Sequence, residues 1–423
     1  MHEPGELLSI VEGLAGIPRL PGSEGEARAG ALIRDDLVGV CRRVVVEPER
    51  AYASYARPIG LLCATALGAA MVAARGHRGL GSVVAGLAGA GIADDITGGR
   101  MAFRRMSGRP GTTANVVAQT GDDQARTTLV VLAHHDAAPS GVVFDQRVHK
   151  WVARRWPRLI ARAKGNPPLW WVVLAGPVLV ALGSAINRAS WRNAGAVICA
   201  GSVAAMADIG RRPAVPGAND NLSGVAVLIS LARALHEKPL EGLRVLLVSA
   251  GAEEALQEGI RGFARRHFGE LDPAHTYFLN LDTVGSGRLV LLEGEGPLRM
   301  HDYRPEFLAT VAECADLQDI AVVRGLRARN STDGSVPHRY GYPTATVVSV
   351  DRRGLMPHYH LDSDVPANLD PESVAEAARL AEAVARRLAT SPPSGAGAAR
   401  AGTGRRRRRG AAGRAGGRRR GRP

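Results

Sequence analysis

The sequence predicts an α/β fold: a mixed β-sheet flanked by helices and interrupted by two inserted helical hairpins, read here as transmembrane. Three observations predict it. Short β-rich runs alternate with helical patterns, several of those runs stop at histidines or carboxylates, and two apolar blocks, residues 58–93 and 167–209, break the alternation. At 423 residues and 45% apolar content the chain can bury a full-sized core with room for additions.

The elements follow in order. ELLSIVEGLAGI reads as a helix and PRLPG as the turn after it; Ser23, with Glu26 three residues on, has capping-box spacing and opens a second helix. The strand RRVVVEP completes the first part of the body, residues 1–50. After an insertion over 51–111 come ANVVAQT and TTLVVLAHHD, two strands joined by GDDQAR within 112–142. A second insertion, 143–212, separates these from 213–390, which holds the helix GVAVLISLARALHE, the strands LRVLLVSAG, TYFLNLD and TATVVSV, and the closing helix ESVAEAARLAEAVARRLA. Residues 391–423 form a tail.

Each insertion reads as a helical hairpin, around the turns RGHRG and NRASWRN. About 20 apolar residues span a bilayer, and LWWVVLAGPVLVALGSAI comes nearest to that length, while the second member of each pair is short and rich in Gly and Ala. Small residues allow close helix contact in lipid. The hairpin tips carry two arginines each, whereas RVHKWVARRWPRLIARAKG before the second hairpin carries seven Lys/Arg, so the positive-inside rule predicts a multi-pass membrane protein with its α/β body in the cytoplasm. That basic, tryptophan-bearing flank is also expected to lie on the membrane surface as an amphipathic helix. The N-terminus has no basic segment followed by an apolar core, so no cleavable signal is expected and membrane targeting falls to the hairpins.

The formal charge of +14 is mostly local, because residues 400–423 hold eleven arginines and no acid. Such a Gly/Arg tract should be disordered and should bind anionic lipid or nucleic acid without sequence choice. Cys41, Cys63, Cys199 and Cys314 are far apart and form no CxxC pair, which argues against a disulfide framework and a cysteine zinc site.

The chemistry-bearing residues sit where strands end. In LVVLAHHDAAPSG successive side chains point to opposite faces, so only one of His134 and His135 can share a face with Asp136. GANDNLSG opens a helix with Asp220, SAGAEE ends a strand with Glu253 and Glu254, LNLDTVGSG ends another with Asp282, and MPHYHLDSD holds His358 and His360. Each cluster alone has an ordinary explanation as a cap, turn or solvated edge. Their order and their attachment to strand ends together point to a divalent metal held by nitrogen and carboxylate oxygen.

With these motifs, and with PRLPGSEGE and ANVVA, the chain resembles the co-catalytic di-zinc exopeptidases, a family that includes bacterial aminopeptidases, glutamate carboxypeptidase and glutaminyl cyclases; the resemblance covers residues 5–50, 112–142 and 213–390. It implies a phosphorylase/hydrolase-like zinc exopeptidase fold and two zinc ions per chain. His134 and Asp282 would hold one zinc, Glu254 and His360 the other, with Asp220 bridging. It further implies that Glu253 is the general base and that Asp136 accepts a hydrogen bond from the second ring nitrogen of His134. His135 is then structural, and the spacing to Asp364 favours His360 over His358.

Two departures stand out. About eighty residues separate His134 from Asp220 where the family has a short loop, so the insertion must cross the bilayer an even number of times for the two to meet. ALQEGIRGF replaces a more compact glycine-containing turn, which leaves the specificity pocket undefined. The expected function is a membrane-associated, cytoplasm-facing zinc aminopeptidase acting on peptides or aminoacyl amides. The alternatives are a related carboxypeptidase, deacylase or glutaminyl cyclase, and a catalytically inactive membrane scaffold.

Overall fold

The computed structural model describes residues 2–156, 165–166, 168–352 and 354–391. The Gly/Arg tail from 392 onward and residues 157–164 of the basic flank, on which polyanion and surface binding were expected, lie outside them. In chain order the helices are α1 (Pro4–Ala15), α2 (Glu24–Leu37), α3 (Ala56–Ala74), α4 (Arg78–Ile96), α5 (Ala102–Ser107), α6 (Arg147–Arg155), α7 (Leu169–Ala185), α8 (Ala189–Ile209), α9 (Ser223–Glu237), α10 (Glu258–His267), α11 (Pro305–Leu317), α12 (Ser335–Arg339) and α13 (Pro371–Thr390). The strands are β1 (Arg43–Ala51), β2 (Gly111–Gly121), β3 (Thr128–His134), β4 (Arg244–Ala250), β5 (Thr276–Leu281), β6 (Arg288–Leu291), β7 (Gly294–Glu295), β8 (His301–Asp302), β9 (Val322–Val323), β10 (Arg327–Ala328) and β11 (Thr344–Val350).

Eight strands form one mixed sheet in the order β1-β2-β4-β3-β5-β11-β6-β9, and β10-β7-β8 form a small second one. The centre, β4-β3-β5-β11, is parallel, while β1, β2 and β6 are joined to it by antiparallel ladders. Parallel strands are covered on both faces, which is why β3 and β5 read as unbroken apolar runs. Leu129, Val131 and Ala133 face the core under α1, α2, α9 and α13, whereas Val130 and Leu132 face the one under α10. His134 and Asp136 continue the second set and His135 the first. Because β3, β4 and β5 run the same way, their C-terminal ends lie along one edge of the sheet, where polar groups collect in open α/β folds.

Both insertions leave and return through paired strands. The last residue of β1, Ala51, is paired with the first of β2, Gly111, around the first insertion. Around the second, Pro139 bridges Ala214, and the Val215 N–H donates to the Ala138 carbonyl at 2.9 Å. The excursion between His134 and Asp220 therefore closes on itself, with α6, α7 and α8 among its described residues.

The two hairpins pack on each other as a four-helix unit with its own core, including Ile59, Leu62, Ile92, Val180, Cys199 and Met206. Small residues bring the backbones together: a Cβ on Gly81 would lie 2.6 Å from the Ala69 carbonyl oxygen, and one on Gly195 2.6 Å from that of Gly176. The outer surface carries exposed Leu80, Val83, Leu87, Val172 and Val197.

Lengths correct one expectation. The helix in LWWVVLAGPVLVALGSAI is only 17 residues, bounded by Pro168 and by Asn187 with its left-handed backbone, whereas α3 and α4 each run 19 and are, among the described residues, the two helices long and apolar enough to cross a membrane. Nor are the second members short, at 19 and 21 residues, and Gly81, Gly89, Gly91 and Gly195 within them are contact points between helices rather than breaks.

Candidate metal centre

The strand ends and two loops bring His134, Asp136, Asp220, Glu253, Glu254, Asp282 and His360 into one buried cluster. His134 ends β3, the glutamate pair follows β4, and Asp282 follows β5. Asp220 lies in the irregular turn that feeds α9, joined to Asn221 by a cis peptide bond, and His360 lies in the loop after β11.

Asp220 stands between the two histidines. Its Oδ1 is 3.3 Å from His134 Nε2 and its Oδ2 is 3.3 Å from His360 Nε2, while His360 Nε2 is 3.2 Å from Glu254 Oε1. Asp220 Oδ2, Glu254 Oε1 and both ring nitrogens of His360 are buried and make no hydrogen bond. Leaving such groups unpaired costs about 1–3 kcal/mol each, so the arrangement calls for a partner. Ligands at about 2.0–2.2 Å from a tetrahedral zinc stand roughly 3.3–3.6 Å apart, close to the spacing seen here. Three carboxylates and two imidazoles also match the donor chemistry of two divalent ions. The residues present fit the metal.

Electrostatics agree. Burial, and next the Asp220 carboxylate, push Asp282 up to about 7. Burial likewise raises Glu253 well above the usual carboxylate range, with Asp333, Glu254 and Asp282 adding to it against the pull of His134. Asp220 moves the other way: burial opposes its charge, but the facing imidazoles of His134 and His360 outweigh that and hold it below the usual range.

The supporting contacts differ in part from the expectation for Asp136. His134 Nδ1 is 3.3 Å from its backbone carbonyl oxygen and 3.4 Å from its carboxylate, but the two carboxylate oxygens accept the backbone N–H groups of Glu253 and Glu254, each at 3.0 Å. Asp364 acts in the same way on the other side, accepting the N–H groups of Asn219 at 2.8 Å and Asp220 at 3.0 Å. His135 pairs with Ser249 Oγ at 3.0 Å, and His358 turns outward to Ser363 Oγ at 2.8 Å. Ser23 caps α2 as expected, but Glu26 reaches Gly22, Thr113 and the N–H of Ala252 instead of returning to the Ser23 amide.

Several residues at the site went unrecognised in the sequence. Arg19 is fully buried and donates to the carbonyls of His135 at 2.8 Å and Pro216 at 2.9 Å, tying the segments of His134 and Asp220 together. Phe144, just past the Pro139–Ala214 bridge, meets the His360 ring edge-on at 4.5 Å between centroids, and Tyr359 stacks on it at 3.9 Å. Asp333 is buried beside the cluster, and Gln257 donates to Glu253 Oε1 at 3.2 Å. The only available sequence signals were the PRLPG turn and the departure ALQEGIRGF.

Residues 200–385 match the family model of Peptidase family M28, a span that includes Asp220, Glu253, Glu254, Asp282 and His360. The resemblance to co-catalytic zinc exopeptidases is borne out by that match. A comparison with curated proteins finds no match. Among solved structures, an aminopeptidase from Aneurinibacillus sp. strain AM-1 is similar at 14% identity, over 92% of this chain and 94% of that one, with a TM-score of 0.52. A glutaminyl cyclase from Bacteroides thetaiotaomicron, bound to N-acetylhistamine, is similar at 14% identity over 91% and 98%, TM-score 0.54. A Zn-dependent exopeptidase from Parabacteroides distasonis gives 14% identity over 91% and 98%, TM-score 0.51. At these identities the likeness is one of fold, and the mixed sheet flanked by helices is that fold.

Proposed function

We propose that the protein is a membrane-associated zinc exopeptidase, specifically an aminopeptidase that removes N-terminal residues from peptides or aminoacyl amides at the cytoplasmic face of the membrane. The observation that carries this reading is Asp220, whose two carboxylate oxygens each lie 3.3 Å from a different histidine, as a residue bridging two ions would. On this reading His134 and Asp282 would hold one zinc, and Glu254 and His360 the other. Two zinc ions held there would supply a water acidic enough to lose a proton near neutral pH and an electrophilic contact for the scissile carbonyl.

The chain's own residues do the rest. Glu253 takes the proton of the attacking water on its carboxylate and gives it to the leaving nitrogen as the carbon–nitrogen bond breaks. Burial keeps bulk water from competing for that proton. Asp136 fixes the backbone on which Glu253 and Glu254 stand. The four-helix unit, with α3 and α4 long enough to span, supports insertion, and Phe144 sets the second insertion against the ligand His360.

The test is hydrolysis of aminoacyl and N-blocked peptide amides by detergent-purified protein, with zinc, with chelator, and with Glu253→Gln. Cleavage confined to free-amine substrates, lost with chelator and in the variant, is the expected result. Release of ammonia from N-terminal glutamine without chain cleavage would replace the peptidase by a cyclase, an activity named for one of the similar folds. Absence of turnover with zinc bound would leave the scaffold reading.

A further inference from the structure

The turn after the glutamate pair is unusual. Leu256 and Gln257 both adopt left-handed backbone angles, φ +68° and +61°, which folds Gln257 back over the strand end with its N–H on the Glu253 carbonyl at 2.8 Å. The side chain of Gln257 is buried, and its Nε2 donates to two oxygens: Glu253 Oε1 at 3.2 Å and the Ser331 carbonyl at 3.0 Å. Its amide cannot be reversed without loss, because the Ser331 carbonyl only accepts and must face the NH2 end. The oxygen end faces Arg261 Nη2 at 3.5 Å.

Arg261 carries the connection outward. Its Nη1 donates to the Gly98 carbonyl at 3.1 Å, in the turn that ends α4. Gly98 has a φ of +62°, and a Cβ there would lie 1.9 Å from Arg261 Nη2, so only glycine lets the guanidinium close on this turn. Hydrogen bonds thus run without a break from the root of the first inserted hairpin to Glu253.

We propose that Gln257 is a positioning residue for Glu253 and that Arg261 ties its position to the root of the first hairpin. The inference rests on the reading of Glu253 as general base. With Oε1 held by Gln257, Oε2 is the oxygen left to take the proton, and the carboxylate is fixed in the orientation the reaction needs. Losing the bond costs orientation rather than metal or substrate binding, so the effect belongs in kcat.

The experiment is steady-state kinetics and zinc analysis of full-length Gln257→Met, Gln257→Glu and Arg261→Met, each alone and with Glu253→Gln. Gln257→Met, which keeps bulk and loses the donor, should lower kcat about tenfold with KM and zinc content unchanged. Gln257→Glu keeps the shape and adds repulsion, so it must lower kcat at least as far; Arg261→Met should lower it about two- to threefold. In the Glu253→Gln background none of the three should slow the residual rate further. An unchanged kcat in Gln257→Met or Gln257→Glu overturns the proposal. So does an equal further loss in the Glu253→Gln background, or zinc content falling in step with kcat. A wild-type rate in Glu253→Gln alone would instead remove the base itself, a failure separable from the others.

Discussion

Asp136 Oδ1 accepts the backbone N–H of Glu253 at 3.0 Å, so the aspartate that stands beside His134 also sets where Glu253 enters the cluster. Its Oδ2 does the same for Glu254. Asp136→Asn keeps the shape but turns one acceptor into an NH2 facing an N–H. Zinc affinity is expected to fall about 10- to 100-fold and kcat to fall with it. Competition with a zinc-binding dye and steady-state rates check both.

Arg19 should matter to stability more than its place in a turn implies. Its guanidinium satisfies carbonyls of Leu14, Ile17, His135, Pro216 and Gly217. Burial lowers its pKa only to about 10, opposed by Asp136, Asp364 and Asp220, so it stays charged at neutral pH. Arg19→Met leaves those carbonyls unpaired in the interior and is expected to cost about 3 kcal/mol or more by denaturant unfolding. Arg19→Lys, with fewer donors and no fork, should recover only part of this.

The N-terminus is clamped to α13 by a pH-dependent contact. His2 and Arg386 both bond to Glu382, and these hydrogen bonds, His2 first, lower its pKa from 4.5 to about 2. A depressed folded pKa means the contribution is fully present above about pH 4.5 and is lost as the pH falls toward 2. Glu382→Gln should therefore lower the melting temperature by about 2–4 °C at neutral pH, and the gap to wild type should shrink steadily below about pH 4.5. A gap that widens on acidification would contradict the assignment.

How much of this was legible in the sequence depended on the kind of force involved. The central strands β3 and β5 could be read because burial on both faces demands continuous apolar runs, and His134, Glu253, Glu254 and Asp282 could be read because they stand at or just past strand ends. Pairing order could not: β4 lies between β2 and β3 although those two are consecutive in sequence. Contacts made by backbone groups left no trace in residue type, so the grip of Asp136 on Glu253 and of Arg19 on Pro216 was invisible. The two-residue strands β7 to β10 are too short for a periodic signal. Helix ends in the hairpins were misjudged because Gly and Ala lower apparent apolarity while improving helix contact.

The four-helix unit gives a direct test of membrane association. Leu87 is 67% and Val197 72% exposed on its outer surface, where water would be a poor neighbour. The full chain should sediment with membranes and resist extraction at high salt and high pH. Leu87→Glu combined with Val197→Glu should release it or abolish its accumulation, since each buried charge costs about 2.5–3.5 kcal/mol in a bilayer-centred helix. Extraction of the wild type by salt alone would place the hairpins outside the bilayer.

If Asp220 joins two zinc sites, the metal content of purified, zinc-loaded protein must depend on it. The expected result is about two zinc ions per chain in the wild type and a loss of both in Asp220→Ala, whose histidines would then have no shared carboxylate between them. A wild-type chain that binds no zinc, or an Asp220→Ala chain that keeps its full complement, would contradict it.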